Sequence, residues 1–263
     1  MSQTNSCLNC EHLTNGKFCS NCGQKTDTHR ITFKHFIFHD ILHGVWHFEK
    51  GILFTIKQAM VRPGHAALDY ISGKRIRFYN VFYLTLLLIG LNIFITHIQT
   101  ELSHEYLNTS LHPETDDFGR NMDAFLTNNS KLIIFSFIPL FAINSFILFR
   151  RKKLNFSEHF IISGMMFLGV MILNTVFTLV SFTDFTNYAD IMSNIVNVAV
   201  PSLIIIYLAV NYYKTFSENY TKFQNATRVF IFLMMIFIEL LILLALMVGY
   251  FTKWTYNLKI VYH

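Results

Sequence analysis

The chain alternates between long apolar runs and short polar connections, and five of the runs are long enough to cross a bilayer. They occupy residues 79–98 (YNVFYLTLLLIGLNIFITHI), 132–149, 159–180, 195–213 and 228–251. A hydrocarbon core of about 30 Å takes roughly 20 helical residues at about 1.5 Å rise each. Each run therefore predicts one membrane-spanning helix. A core helix of a soluble domain would carry a polar face at helical spacing, and these runs have almost no charge with which to build one. Upstream, the pattern changes. Phe33, Phe36, Ile37, Ile41, Val45 and Phe48 fall on one helical face, while His35, His39, His43 and His47 fall opposite. This period predicts an amphipathic helix lying at the membrane interface. Arg62-Pro63-Gly64 ends the helix that follows, because proline lacks a donor and clashes with the preceding turn, and a short helix leads on to Gly73.

Composition agrees with the runs. At 52% hydrophobic, 16% aromatic and only 14% charged residues, the 263-residue chain falls in the membrane class rather than that of one or two soluble domains. The fold class predicted is an all-α membrane protein: five transmembrane helices, preceded by the amphipathic interfacial helix and a small N-terminal zinc-ribbon knuckle. Three stretches follow: a head at 1–29, interfacial helices and a basic linker at 30–78, and the transmembrane domain at 79–263.

Charge sets the expected orientation. Seventeen of the 21 lysines and arginines fall before the first run, in Arg150–Lys153, or between the fourth and fifth runs, and four fall on the other side. Cationic segments resist translocation, so the N-terminus is expected in the cytoplasm and the C-terminus outside. The loop at 99–130 is acidic and is expected as a solvated exterior loop. The first thirty residues are polar, so no cleavable signal peptide is expected and the first span directs insertion. The net charge of +5 reports topology, and nucleic acid is not an expected partner.

All four cysteines lie in the first 22 residues, as Cys7-x2-Cys10-x8-Cys19-x2-Cys22. A reducing cytoplasm disfavours disulfides, and paired CxxC turns are metal knuckles. Structural Zn2+ is the expected cofactor, since tetrahedral S4 coordination without an open position is typical of zinc ribbons; iron fits the same donors. Gly23 lets the second knuckle curl. His12, between the knuckles, is expected to be a solvated loop residue.

Other candidate sites are less specific. His35, His39, His43 and His47 recur every fourth residue and so could grip a second metal, or form a polar, pH-sensitive face towards headgroups. Lys74, Arg75 and Arg77 stand just before the first span, where cations attract anionic lipid headgroups. Glu239 lies near the middle of the fifth span. An intramembrane acid must be neutral, paired or facing a cavity, and Asn92 and Asn174 stand at comparable depth as partners. Pro139 and Pro201 predict kinks in the second and fourth spans.

The order of CxxC, FCSNCGQK at Phe18–Lys25, RITFKHF at Arg30–Phe36, FEKGILFTIKQ at Phe48–Gln58, RPG at Arg62–Gly64 and YISGKR at Tyr70–Arg75 resembles an uncharacterised bacterial multi-pass membrane-protein family, a domain of unknown function. The likeness covers about the first 90 residues. It implies the same architecture, in a bacterial inner membrane, and brings no activity, substrate or catalytic residue. No phosphate-binding loop or nucleophile elbow occurs, the cytoplasmic segments hold no paired-carboxylate arrangement, and the acidic loop lacks EF-hand spacing. The leading function is then a non-enzymatic docking protein whose zinc head recruits a cytoplasmic or membrane partner. The alternatives are a proton- or cation-coupled transporter or lipid-handling protein using Glu239, and a membrane metalloenzyme using the histidine stripe.

Overall fold

A computed structural model describes residues 5–26, 31, 51–107, 117–182 and 189–252. The amphipathic segment with His35, His39, His43 and His47 lies outside the described residues. The described chain opens with a two-residue antiparallel ribbon, β1 (Asn5–Ser6) and β2 (Leu13–Thr14). Two short helices follow, α1 (Ile52–Val61) and α2 (Pro63–Ile71), and then five long ones: α3 (Val81–Leu107), α4 (Asp117–Leu148), α5 (Phe156–Val180), α6 (Ala189–Phe216) and α7 (Lys222–Phe251). Helices α3 to α7 are all long and apolar enough to cross a membrane. The chain is a multi-pass, all-α membrane protein.

The helices outrun the apolar runs that announced them. Helix α3 continues to Leu107 and α4 begins at Asp117, so most of the acidic stretch expected as a loop at 99–130 is helical. Hydropathy marks where a helix meets lipid, and polar residues such as Arg120, Asn121 and Asn128 extend it into water at little cost in propensity. The starts of α5 and α7 are set by capping. Asn155 accepts from the Glu158 N–H at 2.8 Å and the Glu158 carboxylate accepts from the Asn155 N–H at 2.7 Å, a reciprocal capping box. Thr221 caps α7 through the Gln224 N–H.

Helix α5 is the axis of the molecule. It touches α1, α2, α3, α4 and α6, while α7 packs on α4 and α6. The turn of α5 around Gly164 lies against Phe82 of α3, and the turn around Gly169 lies against Tyr207 of α6 and Ala59 of α1. A side chain at either glycine would occupy space its neighbours already fill; small residues let membrane helices approach closely. The α1–α2 pair forms a wedge on α5, against α6 and against the residues just before α3. Pro63 sits at the first turn of α2, where its missing N–H costs nothing. Gly64 abuts Thr215, the Tyr207 hydroxyl donates to the Ala59 carbonyl at 2.6 Å, and the Tyr79 N–H donates to the Thr55 hydroxyl at 2.8 Å. Gly169 is the fourteenth residue of α5, so the wedge reaches about 20 Å along that helix from its first turn.

At the same end of the bundle, aromatic rings close the core. Phe149 stacks on Phe216 with centroids 4.1 Å apart, and Tyr212 lies 4.1 Å from Phe232. The basic turn at Arg150–Lys152 then folds over the helix ends: Lys152 donates to the Thr215 carbonyl, and Arg228 donates to the Leu148 carbonyl while lying over the Tyr220 ring at 4.5 Å. Cations at helix C-termini satisfy carbonyls that have no donor of their own and complement the helix dipole. Partial loss of hydration lowers the Lys152 pKa, against the raising influence of Glu218.

Candidate metal centre

The N-terminal head consists of two hairpins built alike. In the first, the Cys7 N–H donates to the His12 carbonyl at 2.9 Å and the Glu11 N–H to the Cys7 carbonyl at 2.8 Å. In the second, the Cys19 N–H donates to the Gln24 carbonyl at 2.8 Å and the Gly23 N–H to the Cys19 carbonyl at 2.8 Å. Each knuckle turns at a left-handed residue, Glu11 (φ 61°) and Gly23 (φ 75°). Glycine takes that conformation freely, whereas a residue with a Cβ pays for it. His12 thus serves through its carbonyl, and its side chain is exposed.

The two turns bring all four sulfurs together. Every pair of Sγ atoms lies within 4.8 Å, and Cys7–Cys22 and Cys10–Cys19 are each 3.6 Å apart. A disulfide would need about 2.05 Å. Four sulfurs about 2.3 Å from a central ion at tetrahedral angles stand about 3.8 Å from one another, so this cluster has the dimensions of a metal site. The thiols do not hold their protons equally. Loss of hydration raises Cys22, but the Gln24 N–H, Asn9 and the Cys10 and Cys7 thiols outweigh it and bring Cys22 down to about 6. The Cys22 backbone N–H draws Cys19 down, yet loss of hydration and the protons shared with Cys10 and Cys22 push it up to about 11. The donor set fits a soft or borderline cation, and Cys7, Cys10, Cys19 and Cys22 would hold it.

The head is bound to its own chain. Gln24, 3% exposed, donates through Nε2 to the Gly73 carbonyl at 2.7 Å and accepts through Oε1 from the Arg75 and Ile76 N–H groups at 3.2 and 3.4 Å. Arg77 donates to the Asn9 side-chain oxygen at 2.9 and 2.7 Å and to the Asn9 carbonyl at 3.2 Å. Leu8 packs against Gly73, whose φ of 108° excludes most other residues. The GQ that follows the second knuckle and the GKR before the first span are two halves of one contact.

The cations proposed for lipid contact therefore have partners within the chain. Besides Arg77 on Asn9, Lys74 pairs with Asp69 at 3.0 Å, and the Arg75 guanidinium lies over the Tyr70 ring at 5.7 Å. Asp69 also meets Arg62 at 3.5 Å.

Inside the bundle the structure regroups the polar residues. Asn92 and Asn174 join each other: Asn174 Nδ2 donates to Asn92 Oδ1 at 3.0 Å, and Asn92 Nδ2 donates to the Thr175 hydroxyl at 2.7 Å. Neither is a partner of Glu239, whose carboxylate instead accepts from Asn144 Nδ2 at 3.0 Å. Depth alone paired them; the angle around each helix decides, and it turns Glu239 towards α4. Pro139 in α4 frees the Phe135 carbonyl, and the neighbouring Ser136 hydroxyl donates elsewhere, to the Ile133 carbonyl at 2.6 Å. A further pair had no sequence signal: Ser145 Oγ and His159 Nδ1, both fully buried, are 2.8 Å apart, and His159 Nε2 finds no partner among the described residues.

Residues 49–89 match the model of a family described as "Protein of unknown function (DUF3667)". The matched stretch runs through α1, α2, the basic linker and the first turns of α3, which is the wedge together with the platform on which the head rests. No curated protein and no solved structure matches the chain.

Proposed function

We propose that this membrane protein is a non-enzymatic docking or complex-organising protein of the bacterial inner membrane, with its N-terminus in the cytoplasm, its C-terminus outside and a structural Zn2+ in the head. The observation that carries this reading is the buried Gln24 contact. A head held by Gln24 and Arg77 presents a fixed surface at the rim of the bundle, and a closed four-thiolate site offers no open position for chemistry. Leu13 and Phe18, one on each hairpin, are 65% and 63% exposed; these apolar tips are what a protein partner would cover. So small a module has no core of its own, and metal binding worth about 10–16 kcal/mol would be its folding energy. The excess of cations at this end supports the orientation, and Lys74, 40% exposed, is the cation best placed to meet an anionic lipid headgroup.

The test combines metal content with contact mapping. Elemental analysis of the full-length protein should give one zinc per chain, lost in Cys19→Ser; iron in its place, or no metal, would overturn the assignment. A photo-crosslinking residue at position 18 in native membranes should give a discrete protein adduct that disappears on chelation, while one at position 53 should not. An adduct indifferent to chelation, or none, would overturn the docking role.

A further inference from the structure

The sector of the bundle between α3 and α6 is filled unequally along its length. At the head end the α1–α2 wedge occupies it as far as Gly169. Towards the far end no described element takes the wedge's place, and a cleft of about 370 Å3 opens between the three helices. Thr96 and Gln99 of α3, Asn174, Thr178 and Ser181 of α5, and Pro201 of α6 line it. Pockets for small molecules run to about 300–1,000 Å3, and hydrogen-bonding side chains along membrane-crossing helices are costly unless they meet one another, water or a ligand.

The wall is held in place by bonds between helices, and those bonds use up donors. Asn174 spends an N–H on Asn92 Oδ1. The Thr178 hydroxyl donates to the Asn174 carbonyl at 2.9 Å, with Asn92 Oδ1 at 3.3 Å, and Ser181 has the Thr178 carbonyl at 2.8 Å and Gln99 Oε1 at 3.2 Å as acceptors. Gln99 in turn gives an N–H to the Ser181 carbonyl at 3.4 Å. Pro201 has no N–H, so the carbonyl one turn earlier in α6 loses its helical donor. The lining thus offers an occupant acceptors and donors together, since the Asn174 amide carries a second N–H besides the one given to Asn92. No Asp, Glu, Lys or Arg is among the described lining residues, so nothing there would balance an ion.

We infer that this cleft is a binding site for an uncharged, hydroxyl-rich group of polyol or sugar type that enters from the end opposite the head. Hydroxyl groups donate and accept at once and so suit a wall that presents both, and the absence of charge among the described lining residues selects against phosphates, carboxylates and amines. The same chemistry comes from two sources, a free polyol in water or the headgroup of a glycosylated lipid. The site is independent of the metal head, and neither reading needs the other.

Cysteine protection tests it on the full-length chain in nanodiscs, with the parent chain as background for the head thiols. Thr178→Cys and Ser181→Cys should react with a water-soluble maleimide about tenfold faster than Met171→Cys, two turns deeper on α5, because thiol reactivity follows exposure. Saturating myo-inositol should slow that reaction if the ligand is a free polyol; nanodiscs containing glucosyl-diacylglycerol should slow it if the ligand is a lipid headgroup. Asn174→Leu should weaken whichever protection is found. Protection by neither probe, or reaction at Met171→Cys as fast as at the other two, would overturn the inference.

Discussion

Helices α5 and α7 both cross the membrane, and α7 is the more hydropathic of the two. Yet 61% of the α5 span is buried inside the protein and only 11% of the α7 span. In water the greasier helix would go to the centre. In lipid it gains nothing by doing so, because the tails are as apolar as leucine, and packing falls instead to residues that permit close approach or hydrogen-bond across helices. Helix α5 has them along its length: Ser157, Ser163, Gly164, Gly169 and Thr175 are all buried. Along α7, Leu240, Leu241, Ile242, Leu244 and Leu246 are exposed, and in a membrane they meet lipid tails. Small and polar residues, rather than large apolar ones, mark the axis of this fold.

The sharpest way to break the contrast is Gly169→Leu. A Cβ at this position would stand 2.8 Å from the Ala59 carbonyl and would also meet the Tyr207 hydroxyl. The wedge must then leave α5 and the Tyr207–Ala59 bond must open. Overpacking of this kind costs about 3 kcal/mol or more when the neighbour is backbone. The expected outcome is a large fall in folded yield, with trypsin cleavage after Lys57 in what does fold; wild-type yield and protection would show that the axis tolerates bulk and that the comparison fails.

Next in size is a matched pair. Leu168 of α5 is fully buried and Leu244 of α7 is 56% exposed. Leu168→Ala leaves a cavity among packed helices and should cost about 2–5 kcal/mol, while Leu244→Ala exchanges lipid contact for lipid contact and should stay within about 0.5 kcal/mol. Unfolding in mixed micelles measures both. Equal losses would mean that α7 is covered by protein.

How much of this was legible beforehand differs by element. The five crossings were, because about 20 apolar residues in a row have few other uses. The cysteine cluster was too, since CxxC spacing constrains a turn locally. Helix ends were not read from the apolar runs, although Asn155 and Glu158 carry a capping box in plain sight. The contacts that organise the molecule were out of reach: nothing local in Gln24 says that it will bind the backbone of Gly73 to Ile76, and nothing in Gly169 says that Ala59 will lie on it. Arg77 looked like a cation for lipid because its partner, Asn9, lies far back in the sequence. Such pairings depend on rotation and tilt, which periodicity within one helix does not encode.

The seam between α3 and α5 gives a smaller effect. Asn92→Leu removes the acceptor of Asn174 and the donor to Thr175. Hydrogen bonds between membrane helices are each worth about 0.6 kcal/mol and rarely above about 1.7, so a loss of about 1–2 kcal/mol is expected in mixed-micelle unfolding. A loss as large as that of Leu168→Ala would assign the axis to polar contacts rather than to close packing.

The smallest expected effect is Glu239→Gln, and its sign carries the information. Glu239 is the acidic residue midway along the helix that otherwise contributes least to the core. Its partner Asn144 is fully buried, gives its N–H to the carboxylate and keeps an Oδ1 that finds no donor among the described residues. An ionised carboxylate can only accept and leaves that oxygen unmet, whereas glutamine, like a protonated glutamate, presents an oxygen to the Asn144 N–H and a donor to its Oδ1. If Glu239 is a structural link between α4 and α7, the glutamine variant should be as stable as the parent or slightly more so, by about 0.5–1 kcal/mol for one net hydrogen bond. Leu, which supplies neither group, should lose a similar amount. A glutamine variant that instead falls with leucine would mean that the charge itself is required, and α7 would then face something other than lipid at Glu239.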